Sequence, residues 1–289
     1  MIRVDSWLCQ GRAIHGRAVM TGSDFVSRDG AGYQRQMGRW SRRLAVPFVE
    51  FAGHDDGERI LDMGCGTGSL TEELTQRDAP TQVVGLDYSG VYASYAAQQC
   101  GAGAQFLVAD GGVLPFADDT FDRCYSLLVL HFVPDPMLAI SELCRVTRPG
   151  GVVAAAVWDA GGGVLVNRLF CDTAAALDAS GEAFRRVTFG RPMTQPGELT
   201  RAWHRAQLID VEEATLTIRM EFEDFADYWG PYIGGDGPYA AYVSTLDTTA
   251  RTALGKAVRG AFIGGGSDGP RSFTASAWAT HGRVPSPEG

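Results

Sequence analysis

A loop with glycine at every second position is the part of this chain best suited to bind a ligand. The segment reads Ile60-Leu61-Asp62-Met63-Gly64-Cys65-Gly66-Thr67-Gly68, and a helix is predicted from Ser69 to about Arg77. Because glycine has no Cβ, a strand-to-helix turn of this kind lets the backbone come close to a bound molecule.

The glycine spacing and the acid in front of it bear on which ligand the loop binds. The dinucleotide fingerprint is Gly-x-Gly-x-x-Gly, whereas here Ser69 occupies the place of the third dinucleotide glycine. A pyrophosphate at a helix N-terminus favours backbone N–H groups without a neighbouring anion. Asp62 instead suits a ligand with a cationic end, such as the ammonium and sulfonium of S-adenosylmethionine. The loop therefore favours S-adenosylmethionine over NAD.

Two further acids follow predicted strands. Apolar runs predict strands at 59–63, 82–86, 105–109, 123–130 and 152–158, with helices between them. Such alternation is typical of a doubly wound α/β fold, in which helices cover both faces of a parallel sheet. Ligands bind at the carboxyl ends of such strands, where Asp62, Asp87 and Asp110 fall. Asp87 is placed to accept hydrogen bonds from a ribose diol, a device that NAD sites also use.

The remaining segments are predicted to add a helix before this core and lid elements after it. The apolar spacing from Tyr33 to Phe51 predicts an amphipathic helix that Pro47 breaks or restarts. Later helices are predicted at 164–177, 196–208, 224–229 and 239–262, and strands at 216–222 and 272–280. We expect one domain over 30–283, with a cofactor-binding core at 33–159 and lid or substrate elements at 160–195 and 222–265. Residues 1–29 are expected to form a poorly ordered extension and 284–289 a disordered tail.

Composition excludes several classes of partner. The net charge of -9 and a pI near 5.0 disfavour nucleic acid and anionic membranes as partners, since both require clustered Lys and Arg. The six cysteines show no metal-ligand spacing, so no metal site is predicted, and free thiols in a reducing cytoplasm are expected. No apolar run is long enough to span a bilayer, and the first twenty residues lack the apolar segment of a secretory signal.

Two motifs downstream of the glycine loop carry a family resemblance. One is the segment from Phe106 to Asp122, which contains Asp110-Gly-Gly-Val-Leu-Pro-Phe-Ala-Asp-Asp-Thr-Phe-Asp122, and the other is Arg145-Val-Thr-Arg-Pro-Gly-Gly151. With the loop, they resemble class I S-adenosylmethionine-dependent methyltransferases, in the small-molecule branch related to the ubiquinone and menaquinone biosynthesis enzymes (methyltransferase type 11). This chain departs from the family pattern at two places. Thr147 occupies a position where relatives have an apolar residue, and Gly111 and Gly112 follow Asp110 where larger residues are common.

The resemblance implies a fold and a set of cofactor contacts. The fold would be Rossmann-like, with a seven-stranded, mostly parallel sheet, an antiparallel last strand and helical lid insertions. Asp62 would orient the ammonium of S-adenosylmethionine, Asp87 would hold the ribose hydroxyls, and Asp110 would accept a hydrogen bond from the adenine amine. The implied cofactor-binding residues are Asp62, Gly64, Cys65, Gly66, Gly68, Asp87, Tyr88, Asp110, Gly111 and Tyr33.

The acceptor and the catalytic residue are less directly indicated. His131 is the only histidine at the carboxyl end of a predicted core strand, so it is the candidate catalytic base; the alternative is a packing histidine that shapes the pocket mouth. The aromatic insertion after residue 222 fits a small-molecule acceptor that is apolar or aromatic. Two alternative functions stay open, an NAD-dependent oxidoreductase and a non-catalytic S-adenosylmethionine-binding module.

Overall fold

The strands form one sheet. The computed structural model of the protein describes residues 30–77 and 82–286, so the predicted extension at 1–29 lies outside the described residues. Within the described ranges the seven strands of the sheet are β1 (Arg59–Met63), β2 (Gln82–Asp87), β3 (Ala104–Val108), β4 (Phe121–Leu127), β5 (Thr147–Trp158), β6 (Ile209–Phe222) and β7 (Arg271–Arg283).

The strand order determines where a ligand can bind. The order is β3-β2-β1-β4-β5-β7-β6. Strands β1 to β5 pair in parallel, and β7 is antiparallel to both β5 and β6. The predicted Rossmann-like α/β fold with an antiparallel last strand is thus confirmed. Because the order reverses between β1 and β4, the crevice at their carboxyl ends is the expected ligand site.

Helices connect and cover the strands. Before the second half of the sheet they are α1 (Gly30–Tyr33), continued by a π-helical turn (Gln34–Gly38), then α2 (Arg39–Ala52), α3 (Ser69–Thr75), α4 (Gly90–Cys100) and α5 (Pro136–Val146). The later ones are α6 (Leu165–Leu177), α7 (Ala179–Phe189), α8 (Glu198–Arg205), α9 (Phe225–Trp229), α10 (Pro238–Thr245) and α11 (Thr248–Ile263). No helix among the described residues is both long and apolar enough to cross a bilayer.

The core has one layer on each face of the sheet, because neighbouring strand residues point to opposite faces. Ile60 is fully buried in the layer that contains Leu44 and Phe48 of α2. Its neighbour Leu61 is fully buried in the other layer, together with Leu143 of α5. Both faces of β1 are therefore shielded from solvent, which explains why its sequence is a nearly continuous run of apolar residues.

The expected break at Pro47 is wrong. Helix α2 continues through this residue to Ala52. An interior proline removes one backbone hydrogen bond and costs about 3 kcal/mol in an isolated helix. Here Leu44 and Phe48 on either side of it are completely buried. Their packing against the sheet offsets that cost, so tertiary contacts override the local signal.

Strand β4 is shorter than the sequence predicts. It ends at Leu127 instead of residue 130, because Leu128 has a φ of 64° and a residue in this left-handed region cannot continue a strand. A 3₁₀ turn, Leu130–Phe132, follows. His131 therefore lies in this turn and not at the end of a strand.

The lid segments also differ from the prediction. Helix α7 was not predicted, although Asp178 caps it by accepting a hydrogen bond from the Gly181 N–H at 2.9 Å. The predicted helix 239–262 is two helices, and Asp247 caps the second by accepting from the Ala250 N–H at 2.8 Å. Val284, which we expected in a disordered tail, exchanges backbone hydrogen bonds with Gly150 and Gly151.

Candidate functional site

A cleft lies at the carboxyl ends of β1, β2 and β4, where the fold predicts a ligand site. It has an empty volume of about 670 Å³, part of which is open to solvent. Seven of the ten residues predicted to bind the cofactor line it, namely Tyr33, Asp62, Gly64, Cys65, Gly66, Asp87 and Tyr88. The other lining residues are Ser41, Thr67, Ser69, Leu70, Tyr92, Leu127, Leu128, Val129 and Phe132.

The first two glycines of the loop serve different purposes. Both have positive φ, 78° at Gly64 and 52° at Gly66. A Cβ on Gly64 would lie 2.3 Å from Cγ2 of Val129, so this position must lack a side chain to pack against the chain after β4. A Cβ on Gly66 would meet nothing within 4 Å. Gly66 thus leaves space beside the backbone that a ligand can fill.

Asp62 is a buried carboxylate with one oxygen unpaired. Its side chain is only 1% exposed, and Oδ2 accepts a hydrogen bond from the Thr71 hydroxyl at 2.7 Å. Oδ1 is buried and has no hydrogen-bond partner. Burial raises the pKa of Asp62 to about 7, and the nearby charge of Asp87 adds to this effect. A cationic group beside Oδ1 would stabilise the ionised form, which makes this oxygen a fitting partner for an ammonium.

Asp87 connects the end of β2 to the glycine loop. Its Oδ2 accepts from the Gly66 N–H and its Oδ1 from the Ser89 N–H, both at 2.8 Å. Burial raises the pKa of Asp87 to about 6, while these two hydrogen bonds act in the opposite direction. Each carboxylate oxygen has further lone pairs, so both can still accept from the hydroxyls of a ribose. Asp87 therefore shapes the loop in addition to any contact with a ligand.

Comparisons with known proteins bear directly on this arrangement. Residues 61–155 match the model of a methyltransferase domain family. The chain is 32% identical over 154 residues to a malonyl-[acyl-carrier protein] O-methyltransferase of Erwinia pyrifoliae, an alignment of 53% of this chain and 56% of that protein. It is 37% identical over 121 residues to a demethylmenaquinone methyltransferase of Renibacterium salmoninarum, covering 42% and 48% respectively. The chain thus spans about half the length of these relatives.

The same fold is found in a solved structure. A putative methyltransferase from Bacillus halodurans superposes with a TM-score of 0.56, covering 84% of this chain and 99% of that one at 16% identity. The matched domain and the shared fold make this chain similar to the class I S-adenosylmethionine-dependent methyltransferases. These methyltransferases use S-adenosylmethionine as the cofactor. The unpaired oxygen of Asp62 fits the ammonium of this cofactor, and the open space at Gly66 fits its methionine part, which would contact the backbone.

Three residues of the predicted cofactor set lie outside the lining of this cleft. A Cβ on Gly68 would lie 3.0 Å from Cys100 Sγ, so this glycine permits α3 to pack against α4. A Cβ on Gly111 would lie 2.8 Å from the sulfur of Met63, which is again a packing constraint. Asp110 is exposed, and its Oδ1 accepts from the Gly112 N–H at 2.8 Å. The roles predicted for Gly68, Asp110 and Gly111 receive no support from this geometry.

Tyrosines form one wall of the cleft. Tyr33 at the end of α1 stacks obliquely on Tyr92 of α4, with ring centroids 5.1 Å apart. The Tyr92 hydroxyl donates to Oδ2 of Asp236 at 3.1 Å, which ties α4 to the loop before α10. Tyr88 follows Asp87 directly and lines the cleft as predicted. An aromatic wall beside the buried carboxylate of Asp87 is suitable for an adenosine group.

A second cavity adjoins the first. Its empty volume is about 730 Å³, and it shares Tyr33, Leu128 and Phe132 with the cofactor cleft. The segments predicted as lid or substrate elements contribute much of its wall. Its remaining lining residues are Gln36, Met37, His131, Trp158, Ala160, Asn167, Thr188, Phe189, Arg191, Thr194, Gly237, Pro238 and Tyr239.

His131 lines the second cavity and not the cofactor cleft. It is 6% exposed, and its Nδ1 has no hydrogen-bond partner. Burial, with a smaller contribution from the Arg191 charge, lowers the pKa of His131 to about 3. A general base works best with a pKa near the operating pH. In the unliganded protein, the low pKa of His131 therefore favours a role in shaping the pocket over a role as the base that removes a proton.

Several residues that line the second cavity were not predicted from the sequence. Trp158 could have been found, because it ends the predicted strand β5 and carboxyl ends of strands line the site. The positions of Thr188 and Arg191 are set by helix α7, which was not predicted. The sequence signal for the start of this helix is the capping residue Asp178. Most of the insertion's aromatic residues instead pack with one another, as Tyr228 and Phe262 do at 5.1 Å between ring centroids.

Proposed function

We propose that this protein transfers the methyl group of S-adenosylmethionine to a small acceptor, apolar or aromatic in character, held in the second cavity. The observation that carries the proposal is the junction of the two cavities at Tyr33, Leu128 and Phe132. A methyl donor in one cavity and an acceptor in the other would meet at this junction. When bound, S-adenosylmethionine supplies a carbon already activated by a positive sulfur, so positioning provides most of the acceleration.

The protein's own residues would bind and orient the two molecules. Oδ1 of Asp62 would pair with the cofactor ammonium, and Asp87 would accept from its ribose hydroxyls while holding the loop through Gly66. Leu128 carries a left-handed φ in a bulky residue and lines both cavities. Such a conformation costs about 1–3 kcal/mol and tends to occur at functional sites. We propose that this turn positions the wall between donor and acceptor.

The apolar character of the acceptor is inferred from the second cavity. The accessible area of its wall is mostly apolar and includes Met37, Phe132 and Phe189. The relatives are named for a malonyl group on acyl-carrier protein and for demethylmenaquinone, so acceptors differ within the family. The specific acceptor of this chain must therefore come from its own cavity.

Calorimetric titration of the purified protein with S-adenosylmethionine and with NADH tests the cofactor assignment. We expect binding of S-adenosylmethionine and none of NADH; the reverse would establish the oxidoreductase alternative. Incubation of a metabolite extract with methyl-labelled cofactor then tests transfer. Label on an extractable small molecule supports the proposal. Binding of the cofactor with no transfer to any extract component would favour the non-catalytic module.

A further inference from the structure

Two carboxamide side chains line the second cavity at the part of its wall farthest from the cofactor cleft. The cavity meets that cleft at Tyr33, Leu128 and Phe132. It also adjoins a third cavity, whose empty volume of about 360 Å³ is partly open to solvent. The second and third cavities share Gln36, Met37, Asn167 and Tyr239. None of these four lines the cofactor cleft, so the carboxamides of Gln36 and Asn167 mark the far end of the second cavity.

Both carboxamides are accessible and have no protein partner. Gln36 belongs to the π-helical turn at 34–38, a rare conformation that is frequent at functional sites, and Asn167 lies near the start of α6. Neither side chain hydrogen-bonds to a described residue. Their amide atoms are not enclosed, in contrast to Nε1 of Trp158 and Nδ1 of His131. A carboxamide can both donate and accept, so this pair is suited to a ligand group that does the same.

Other polar groups of the cavity wall already have interactions within the protein. The Thr194 hydroxyl donates to the Arg191 carbonyl at 2.8 Å, and the Tyr239 hydroxyl accepts from the Cys171 thiol at 3.9 Å. The guanidinium of Arg191 lies over the ring of Phe132, 4.6 Å from its centroid, and has at least one further interaction. The accessible carboxamides are neutral, and neutral partners do not repay the transfer of a full charge from water. They therefore favour an uncharged ligand group.

We propose that Gln36 and Asn167 determine acceptor specificity by binding a neutral group with adjacent donor and acceptor atoms, such as a carboxamide or lactam, on an apolar or aromatic acceptor. This inference rests on the proposed function, because it assumes that the second cavity holds the methyl acceptor. The atom to be methylated would lie at the end near Tyr33, and the amide-bearing part would lie at the far end, beside the third cavity.

Two probes that share a ring system test the inference on the whole protein saturated with S-adenosylhomocysteine. 2-Naphthamide carries the hydrogen-bonding group, and 2-methylnaphthalene does not. Gln36→Met and Asn167→Leu remove the carboxamides while keeping side chains of similar size. By equilibrium dialysis, each substitution should weaken 2-naphthamide binding by about three- to tenfold, the effect of losing one or two neutral hydrogen bonds. Binding of 2-methylnaphthalene should stay unchanged or become tighter, because it makes no hydrogen bond.

A control substitution and a charged probe sharpen the test. Gln99→Met makes the same exchange at an exposed residue of α4 that lines neither the second nor the third cavity. It should leave 2-naphthamide affinity within about twofold of wild type. 2-Naphthoate has nearly the shape of 2-naphthamide but carries a full charge, so it should bind less tightly at neutral pH. Retained binding of S-adenosylhomocysteine shows that each variant is folded.

The outcomes separate this inference from the proposed function. If S-adenosylhomocysteine does not bind to the wild-type protein, the proposed function fails. If it binds, four results would overturn the inference while the cofactor assignment stands. These are no binding of 2-naphthamide, unchanged 2-naphthamide affinity in both cavity variants, an equal loss of affinity for 2-methylnaphthalene in these variants, and tighter binding of 2-naphthoate than of 2-naphthamide. The last result would indicate an anionic acceptor.

Discussion

The two cavities are built in different ways. The cofactor cleft takes its main groups from the ends of two adjacent strands and the loop between β1 and α3, so Asp62, Gly66 and Asp87 lie close in sequence. The second cavity draws on residues from Tyr33 to Tyr239 that no single element contains. A local motif specifies the first, whereas long-range packing of α6, α7 and α10 creates the second. A family can therefore keep its cofactor and change its acceptor.

The largest effect should come from Gly64→Ala. The new Cβ would overlap Val129, and the alanine would also have to adopt the positive φ of Gly64. Together these two effects should lower the free energy of unfolding by about 2–4 kcal/mol. Urea denaturation measures it. Gly66→Ala is the control, with a loss of only about 1 kcal/mol from φ alone, and it should weaken S-adenosylmethionine binding instead. Equal losses of stability would contradict the distinction between the two glycines. Adding Val129→Ala to Gly64→Ala should restore part of the stability.

Asp62→Asn tests the central charge of the cofactor cleft. The neutral amide cannot pair ionically with an ammonium, so the Kd for S-adenosylhomocysteine should rise by about ten- to hundredfold, or about 1.4–2.8 kcal/mol. Calorimetry at about pH 8 measures the change. Asp118→Asn, which neutralises an acid 72% exposed and paired with Arg145, should have no effect. An unchanged Kd in Asp62→Asn would remove the reason for preferring a cationic ligand.

Asp87→Ala and Asp110→Ala compare two acids to which the family resemblance assigns different parts of the cofactor, the ribose and the adenine. Removal of Asp87 leaves the ribose hydroxyls unpaired and releases the Gly66 N–H, so cofactor binding should weaken by about 1–3 kcal/mol. Asp110 lies outside the lining, and its removal should cost less than about 1 kcal/mol. A comparable loss in both variants would show that Asp110 contacts the adenine when the cofactor is bound.

Cofactor binding should also depend on pH. The pKa of Asp62 is raised to about 7 because burial favours its protonated form. Above this value the carboxylate is already ionised; below it, a bound ammonium must displace a proton. Affinity for S-adenosylhomocysteine should therefore fall as the pH decreases from about 8 to about 6, by up to about tenfold per unit below the pKa. Asp62→Asn should lose most of this dependence, and the part that remains near pH 6 comes from Asp87, whose pKa is about 6. A wild-type profile identical to that of the variant would contradict the assignment.

His131→Ala should have the smallest effect on the cofactor. The imidazole lines the second cavity and not the cofactor cleft, so the Kd for S-adenosylhomocysteine should stay within about twofold of wild type. Turnover should decrease strongly only if the acceptor must lose a proton to His131. A large loss of cofactor affinity would mean that the two cavities are not energetically separate.

The glycines show how far the sequence could be interpreted. All three loop glycines match the family motif, yet Gly66 opens space for a ligand while Gly64 and Gly68 make room for Val129 and for α4. A glycine looks the same in sequence whether a ligand or another part of the chain occupies the space beside it. The packing partner is set by elements more than thirty residues away, such as Cys100, and no local pattern reports it.

Periodicity and motif spacing alone determined the doubly wound sheet, the loop at the end of β1 and the acids at two strand ends. These features arise from short-range rules, because strand burial, glycine conformation and helix starts depend on neighbours in the chain. Only the tertiary structure decided that α2 passes through Pro47, that Leu128 turns left-handed and that Trp158 and Arg191 face one cavity. Those outcomes depend on side chains that meet across the sheet, where packing energy exceeds local preference.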